Sequence, residues 1–367
     1  MTLQDSRAPI GKVGARAFKI PTDAPESDGT LEWDSTTMVL VTIEAGGKTG
    51  IGYTYGHQAA AVLIADKLSG VVEGKSALDI EACWMAMLSA VRNLGQSGIA
   101  AMAISAVDNA LWDLKGKLLG LPVADLIGKV RQTIPVYGSG GFTSYDDEQL
   151  SSQLGRWAEE GLFAVKMKVA RDPDADPHRM AVARSAIGKG VDLFIDANGA
   201  LSEKQALAFA KTAAEGYGVT WFEEPVSSND LKGLRLMRDR APAGMAITTG
   251  EYAFTLWTFR DLLEAQTVDV IQADATRCMG LTGFMKAAAM AEAHQVTMSS
   301  HCAPTLHLQA CLCAPAAVHM EWFHDHVRIE HMLFDGAPVP EKGAVGTNGE
   351  SGLGLTLKAA EAARYEL

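Results

Sequence analysis

A regular alternation of short β-rich runs and amphipathic helical stretches begins at Thr133 and is the strongest constraint on the fold. Helix-like segments such as 146–160, 202–215 and 282–294 separate the runs. Strands joined by crossing helices are parallel, and a set of eight closes most naturally into a TIM-type barrel. We therefore predict a barrel domain over residues 131–334. The eight runs read TIPVYGS, FAVKMKV, DLFIDAN, VTWFEEP, AITTGE, DVIQAD, VTMSSH and AVHMEWF.

The sequence pattern of the first 130 residues is typical of a small α+β domain. Strands are expected at 14–20 and 36–43, with a third ending at Tyr55, as an antiparallel meander. The Ser76 and Asp79 spacing predicts a capping box and a helix from 76 to about 92. A clearer helix is marked by the apolar stripe Ile104, Val107, Leu111, Leu114 and Leu118, followed by Gly120.

Turn-rich segments complete the predicted organisation. Residues 22–34 and 56–58 are expected to be flexible loops, and such loops often cover a site. The Gly- and Pro-rich stretch 336–354 is too irregular for another βα unit. We therefore expect a capping domain over 1–130 that is completed by residues 335–367.

Composition excludes several functional classes. The chain has 32 Lys and Arg against 44 Asp and Glu, and this net charge of −12 opposes binding to nucleic acid or to anionic membranes. It has no run of 18 apolar residues, and the start MTLQDSRAPIGK is unlike a signal peptide. Five cysteines without CxxC spacing fit reduced, buried thiols. The expected location is the cytoplasm.

Polar side chains stand at the C-terminal ends of successive predicted strands. Each alone could be a helix cap or a solvated loop residue. Their steps of 20 to 30 residues match one βα unit each, so they converge on the mouth where barrel enzymes keep their active sites. They are Lys166, Lys168, Asp196, Glu223, Glu251, Asp274, His301 and Glu321.

Three of these carboxylates predict a metal site. Asp196, Glu223 and Glu251 come from successive strands and supply the oxygen ligands that Mg2+ prefers. No His or Cys is among them, which disfavours zinc. Glu223 and Glu224 point to opposite faces of a strand, and alternation alone leaves the choice between them open.

Two candidate bases follow from the same set. Lys166 and Lys168 face the same way, and their crowding near a metal is expected to lower the pKa of a lysine enough for general base catalysis. A Schiff-base lysine and a plain surface pair are the alternatives. His301 and Asp274 end adjacent strands, so the carboxylate could accept the ring N–H and orient a second base.

These motifs resemble the enolase superfamily, mandelate racemase subgroup, over nearly the whole chain. The resemblance implies an α/β fold, a modified (β/α)7β TIM-type barrel with an N-terminal α+β capping domain. Its site residues are carried by KMK at 166–168, DANG at 196–199, EEP at 223–225, GE at 250–251, Asp274, SSH at 299–301 and Glu321. The segment 103–128 also looks like the helix that precedes the barrel in this family.

The resemblance also implies roles for individual residues. Asp196, Glu223 and Glu251 would bind Mg2+, and Lys168 and the Asp274–His301 dyad would flank the substrate α-carbon. Lys166 would touch the substrate carboxylate, and Glu321 would hydrogen-bond the oxygen that gains charge. Substrate contacts are expected from Ser139, Asn198, Trp33 and His57. The residues ATRCMG after Asp274 depart from the paired glycines common in relatives.

The expected activity is Mg2+-dependent removal of the proton α to a carboxylate, with dehydration of a sugar acid favoured. Racemisation of a 2-hydroxy acid is the alternative, and a non-catalytic metal- or ligand-binding barrel is the alternative from another class. A small-molecule carboxylate is the expected partner, with no nucleic acid or membrane, and a homo-oligomer is expected. His324, His326 and Arg328 stay unassigned, between a barrel-bottom or interface loop and recognition of a second anionic group.

Overall fold

Eight parallel strands close into a barrel in the computed structural model, which describes residues 8–367. Neighbouring strands follow the chain order, and the last strand pairs with the first through Glu321 and Tyr137. The predicted (βα) alternation and the closed barrel are confirmed. The strands are β4 Ile134–Gly140, β5 Ala164–Lys168, β6 Asp192–Asp196, β7 Val219–Glu223, β8 Ala246–Thr249, β9 Val270–Ala273, β10 Thr297–Ser300 and β11 Ala317–Phe323.

Helices cover the outside of the barrel. The first begins where Asp146 accepts the Gln149 backbone N–H at 2.8 Å in a capping box. Apolar side chains of these helices pack on the strands in one continuous core. The helices are α6 Asp147–Glu159, α7 Asp176–Ile187, α8 Glu203–Tyr217, α9 Leu231–Arg240, α10 Leu256–Glu264, α11 Gly280–Ala293, α12 Pro304–Cys311 and α13 His324–Leu333.

An antiparallel sheet and a helical layer form the cap over the barrel. Strands β1 Lys12–Ser27, β2 Glu32–Ala45 and β3 Lys48–Tyr55 pair in sequence order. Residues 1–7 of the predicted range 1–130 lie outside the described residues. The helices are α1 Ala59–Leu63, a π-helical turn at Ile64–Leu68, α2 Ser69–Val72, α3 Ile80–Ala90, α4 Ile99–Leu119 and α5 Val123–Ile127.

The prediction of a flexible loop over residues 22–34 is wrong for most of that range. Strand β1 continues to Ser27 and β2 begins at Glu32, with a register shift that absorbs the extra residues after Pro21. Side chains stabilise the extended hairpin, because the Trp33 indole N–H donates to Glu26 at 2.7 Å. The turn itself is short, and Asp28 accepts two of its backbone N–H groups.

Two helix predictions for the cap had different outcomes. The helix expected from Ser76 begins at Ile80, because the Ser76 hydroxyl accepts the Leu78 N–H inside a preceding turn. The apolar-stripe helix is confirmed as α4, which ends at Gly120 in the left-handed conformation. It packs closely on β3, where a Cβ at Gly52 would lie 2.2 Å from the Ala110 nitrogen.

The C-terminal residues join both parts of the molecule. Short strand β13 Ala344–Val345 pairs with β4 of the barrel, and β12 Phe334–Asp335 pairs with β14 Thr356–Leu357. Further on, the Leu353 N–H donates to Asp113 of α4 at 2.7 Å. Helix α14 Ala359–Ala362 is followed by Tyr365, whose carbonyl accepts the Lys19 N–H.

Among the described residues, no helix is both long enough and apolar enough to span a lipid bilayer.

Candidate active site

The residues predicted at the strand ends converge at one mouth of the barrel. Parallel strands bring their C-terminal ends to the same side, and the helix or loop after each strand then turns outward. All eight side chains are buried. A cavity of about 430 Å3 opens beside them, between the barrel mouth and the cap. Those that line it are Lys168, Glu251, Asp274, His301 and Glu321.

Asp196, Glu223 and Glu251 form a carboxylate cluster that fits a cation. One oxygen from each lies within 4.8 Å of the others. Glu223 Oε1 and Glu251 Oε2 are buried and have no hydrogen-bond partner among the described residues. Burial and the neighbouring Asp196 raise the pKa of Glu223 to about 7. Oxygen donors left unsatisfied in a buried, mutually repelling set are what a divalent cation relieves.

The structure separates the two adjacent glutamates that alternation left open. Glu224 has a positive φ of 38° and accepts a hydrogen bond from Thr249 at 2.9 Å, so it is outside the cluster that contains Glu223. The position of Glu251 depends on the glycine that precedes it. Gly250 before it approaches β9 so closely that a Cβ would lie 2.0 Å from the Gln272 carbonyl oxygen.

Lys166 and Lys168 point into the site side by side and are buried, which removes the surface-pair alternative. Lys166 Nζ lies 2.6 Å from Glu223 and 2.8 Å from Glu321, and Lys168 Nζ lies 2.5 Å from Asp196.

The expected lowering of the lysine pKa is not what this arrangement gives. Burial and Lys166 lower the pKa of Lys168, but the attraction of Asp196, Glu223 and Glu251 together outweighs them and the pKa is raised. Each ammonium is crowded less by the other lysine than it is stabilised by its own carboxylate. The sequence argument considered the other lysine and a bound metal ion, and it did not include these ion pairs.

His301 and Asp274 form the pair that the adjacent strand ends predict. His301 Nδ1 lies 2.8 Å from Asp274 Oδ2, and the other Asp274 oxygen accepts the Thr276 N–H and hydroxyl at 2.7 Å each. Burial favours neutral His301, but Glu251 and Asp274 outweigh burial and raise its pKa. The ring therefore has a fixed orientation, with Nε2 3.4 Å from Glu251 Oε2.

Glu321 is held as a hydrogen-bond acceptor. Its Oε2 accepts the Cys302 backbone N–H at 2.5 Å, and its Oε1 contacts Lys166. Burial alone would raise the pKa of Glu321, but Lys166, His301 and Lys168 together outweigh burial and lower it. In this arrangement the carboxylate is ionised.

The predicted substrate contacts fall into two groups. Trp33, His57 and Asn198 line the cavity. Ser139 lies deeper on β4, next to Lys166 of β5, and its buried hydroxyl has no partner among the described residues. Asn198 adopts a positive φ of 46° after the strand, and its buried Oδ1 is also without a partner there.

The three unassigned residues lie in helix α13 directly after β11, at the mouth side, so the barrel-bottom expectation is wrong. His324 contacts Asp23 at 3.0 Å, and Arg328 donates to Asp325 and to the Pro21 carbonyl. These contacts tie the barrel to the cap hairpin. His326 faces the cavity instead, with its ring stacked on Tyr55 at 3.5 Å between centroids.

Sequence reasoning missed two further residues of the site. Arg277 lies in the ATRCMG segment and donates to both the carbonyl and the side chain of Glu251, at 3.1 and 3.2 Å. Cys302 follows His301, and its Sγ lies 3.3 Å from His301 Nε2. Cys302 comes one residue after His301, and Arg277 comes three residues after Asp274. These positions could have indicated a place in the site, because the turn that follows a barrel strand also faces the mouth.

Comparison with known proteins agrees with this architecture. Residues 20–128 match the family model described as mandelate racemase / muconate lactonizing enzyme, N-terminal domain, and residues 149–362 match the model described as enolase C-terminal domain-like. A 3,6-anhydro-alpha-L-galactonate cycloisomerase of Streptomyces coelicolor is 33% identical over 323 residues, which cover 85% of this chain and 88% of the relative.

Solved structures agree over nearly the full length. A mandelate racemase/muconate lactonizing enzyme-like protein from Rubrobacter xylanophilus matches 98% of this chain and 100% of its own, with a TM-score of 0.96 and 50% identity. L-Talarate dehydratase from Polaromonas sp. JS666, complexed with Mg and L-glucarate, matches 98% and 97%, with a TM-score of 0.89 and 27% identity. The chain belongs to the mandelate racemase / muconate lactonizing enzyme family of the enolase superfamily.

Proposed function

We propose that the chain is an Mg2+-dependent enzyme that removes the proton α to the carboxylate of a sugar acid and then expels the β-hydroxyl, so that the acid loses one water overall. The observation that carries the proposal is the placement of two bases around one carboxylate cluster. Lys168 ends β5 and His301 follows β10, and the strands that bear Asp196, Glu223 and Glu251 lie between them. The two bases therefore approach the cavity from different sides.

The carboxylate cluster would hold the cation through Asp196, Glu223 and Glu251. When bound, Mg2+ supplies positive charge that stabilises the negative charge developing on the substrate carboxylate. The magnesium complex of the Polaromonas relative supports this choice of ion. Lys166 and Ser139 would contact the same carboxylate. Glu321 could donate a hydrogen bond to the substrate carboxylate only after taking up a proton, because the ionised Glu321 side chain would repel that carboxylate.

Lys168 is our first candidate for the base that takes the α proton. Its Nζ lies 2.5 Å from Asp196 Oδ2, and that ion pair favours the protonated lysine. Asp196 acting as a metal ligand would hold Lys168 less strongly, which favours the neutral amine that a base requires.

His301 would then act as the acid. With Asp274 behind it the imidazolium is stabilised, and it could protonate the departing β-hydroxyl. The product would be a 2-keto-3-deoxy acid. Delivery of that proton to the opposite face of the α-carbon would give racemisation instead, which is the second candidate because the same two bases serve both outcomes.

The test is a panel of mono- and dicarboxylic sugar acids incubated with the protein and Mg2+, assayed for 2-keto acid and for exchange of the α proton in D2O. Dehydration gives 2-keto acid, and racemisation gives exchange with inversion. The family relatives named above support an enzyme. A non-catalytic barrel would give neither product nor exchange on any acid, and that result would overturn the proposal.

A homo-oligomeric state and a cytoplasmic location also remain proposals. Light scattering after gel filtration would measure the first, and fractionation of the source cells would test the second.

A further inference from the structure

The wall of the cavity opposite the carboxylate cluster comes from the cap. The β1–β2 hairpin contributes Asp28, Trp33, Ser35 and Thr36. Tyr55 at the end of β3 and His57 just after it complete the wall. A substrate whose carboxylate lies at the cluster would extend its far end toward this wall, because the cavity of about 430 Å3 is continuous between the two.

The part of the cap wall that the structure describes carries no lysine or arginine that could bind a second carboxylate. Nearby charge on that side is negative. Asp28 lines the cavity, and Asp325 lies directly behind Thr36, whose hydroxyl donates to it. Arg328 is already paired with Asp325 at 2.6 Å.

Both histidines near this wall use Nδ1 as a hydrogen-bond acceptor. His57 Nδ1 accepts the Ala59 N–H at 3.1 Å, and His326 Nδ1 accepts the Ala303 N–H at 3.2 Å. An accepting Nδ1 leaves Nε2–H as the single ring donor. Burial also lowers the pKa of His326 to about 3.

The cations at the barrel side are committed to carboxylates of the protein. Lys166 and Lys168 contact Glu223, Glu321 and Asp196 as described above. Arg277 donates to Glu251 and lies 3.7 Å from Asp274. A second substrate carboxylate would therefore lose its hydration without gaining a counter-charge, which is costly.

Hydroxyl groups, in contrast, find both donors and acceptors at the cap wall. The Tyr55 hydroxyl is buried and has no partner among the described residues. Its ring is fixed by the stack on His326, so the hydroxyl is pre-positioned. Together with the His326 Nε2–H and the Asp28 carboxylate, it offers the mixed donors and acceptors that a polyol recognises.

From this distribution of charge and hydroxyl partners we infer that the substrate is a monocarboxylic polyhydroxy acid, an aldonate, and not the dicarboxylic aldarate. Tyr55 is the residue that recognises its distal hydroxyls. The inference rests on the proposed function and narrows its substrate class. Family membership does not decide the point, because the names of the relatives above include a galactonate and a bound L-glucarate.

The test uses acids of matched configuration that differ only at the far carbon: gluconate with glucarate, galactonate with galactarate, and mannonate with mannarate. We expect the best aldonate to exceed its paired aldarate in kcat/KM by about 100-fold or more, as sites built for hydroxyl groups reject misfit analogues strongly. An aldarate that reacts as fast as its partner, or faster, would overturn the inference while leaving the proposed function intact. Absence of product and α-proton exchange for every acid would overturn both.

Variants separate recognition from folding. Tyr55→Phe keeps the stacked ring and should raise KM for the aldonate about 10-fold, with a smaller effect on kcat. Ser35→Lys places a cation on the cap wall and should move the aldonate to aldarate ratio toward the aldarate, whereas Ser35→Gln, of similar size and neutral, should not. An unchanged ratio in Ser35→Lys would count against the charge argument.

Discussion

Replacing Asp274 by asparagine should abolish chemistry on the His301 side without unfolding the barrel. The reason lies in how the two carboxylate oxygens are used. Oδ1 accepts two hydrogen bonds from Thr276, and Oδ2 accepts from His301 Nδ1. An amide has one acceptor oxygen, and Thr276 can only be satisfied by that oxygen. The amide NH2 of the variant therefore faces His301.

The consequence is an imidazole in the wrong tautomer. His301 Nδ1 must accept from the amide, so the neutral ring carries its proton on Nε2, the atom beside Glu251 at the cavity. The variant also loses a hydrogen bond between charged groups, worth about 1.5 to 3 kcal/mol. That energy alone corresponds to roughly a 10- to 150-fold loss. Because the wrong tautomer adds to the loss of this hydrogen bond, we expect the rate of the His301-dependent step to fall by at least about 100-fold.

The assay is turnover of an identified substrate together with α-proton exchange in D2O followed by NMR. Exchange from the Lys168 side should persist, which shows that the site is still assembled. Asp269→Asn is the matched control, because Asp269 binds the Ile247 N–H and Arg238 at the opposite end of the strand. If Asp274→Asn keeps near wild-type turnover, the assignment of the dyad is wrong.

Three further predictions test other parts of the molecule. EDTA should abolish turnover, and calorimetric titration with Mg2+ should show a larger loss of affinity, about 10-fold or more, for Glu223→Gln than for Glu224→Gln; equal losses would mean that the wrong glutamate was chosen. His301→Asn should exchange the α proton yet form little product, whereas Lys168→Ala should do neither, and the reverse pattern in D2O would make His301 the first base. Burial raises the pKa of Glu26 from 4.5 to about 9, so the folded state binds the extra proton and stability falls as pH rises through that window. Urea denaturation should therefore show Glu26→Gln gaining about 1.4 kcal/mol per pH unit over the wild type between pH 6 and 8, and a pH-independent difference would contradict this.

The barrel was predictable from sequence because its signal is local and repeated. Each strand is a short apolar run that ends in a polar side chain, and helices with caps such as Asp146 separate the runs. The strand-end residues then follow from topology alone, since parallel strands place them at one mouth. That is why Asp196, His301 and Asp274 could be assigned to one site before their distances were known.

What could not be predicted depends on contacts across the chain. The hairpin that replaces the expected loop is stabilised by side-chain hydrogen bonds between Trp33 and Glu26 and between Ser27 and Thr143. A local sequence pattern does not predict such pairs. The ion pair of Lys168 was missed for a similar reason, because Asp196 contacts it from the next strand. Long-range ion pairs and side-chain contacts decide these features, and composition and periodicity carry no information on them.

The return of the C-terminal residues to the cap affects the order in which the protein can be completed on the ribosome. The hydrogen bond from the Leu353 N–H to Asp113 cannot form until Leu353, 240 residues later in the chain, has been synthesised. At 5 to 20 residues per second, that interval lasts roughly 12 to 48 seconds. During that time α4 is synthesised but lacks one of its buried partners. The nascent cap therefore acquires its full set of buried hydrogen bonds only when translation has nearly finished.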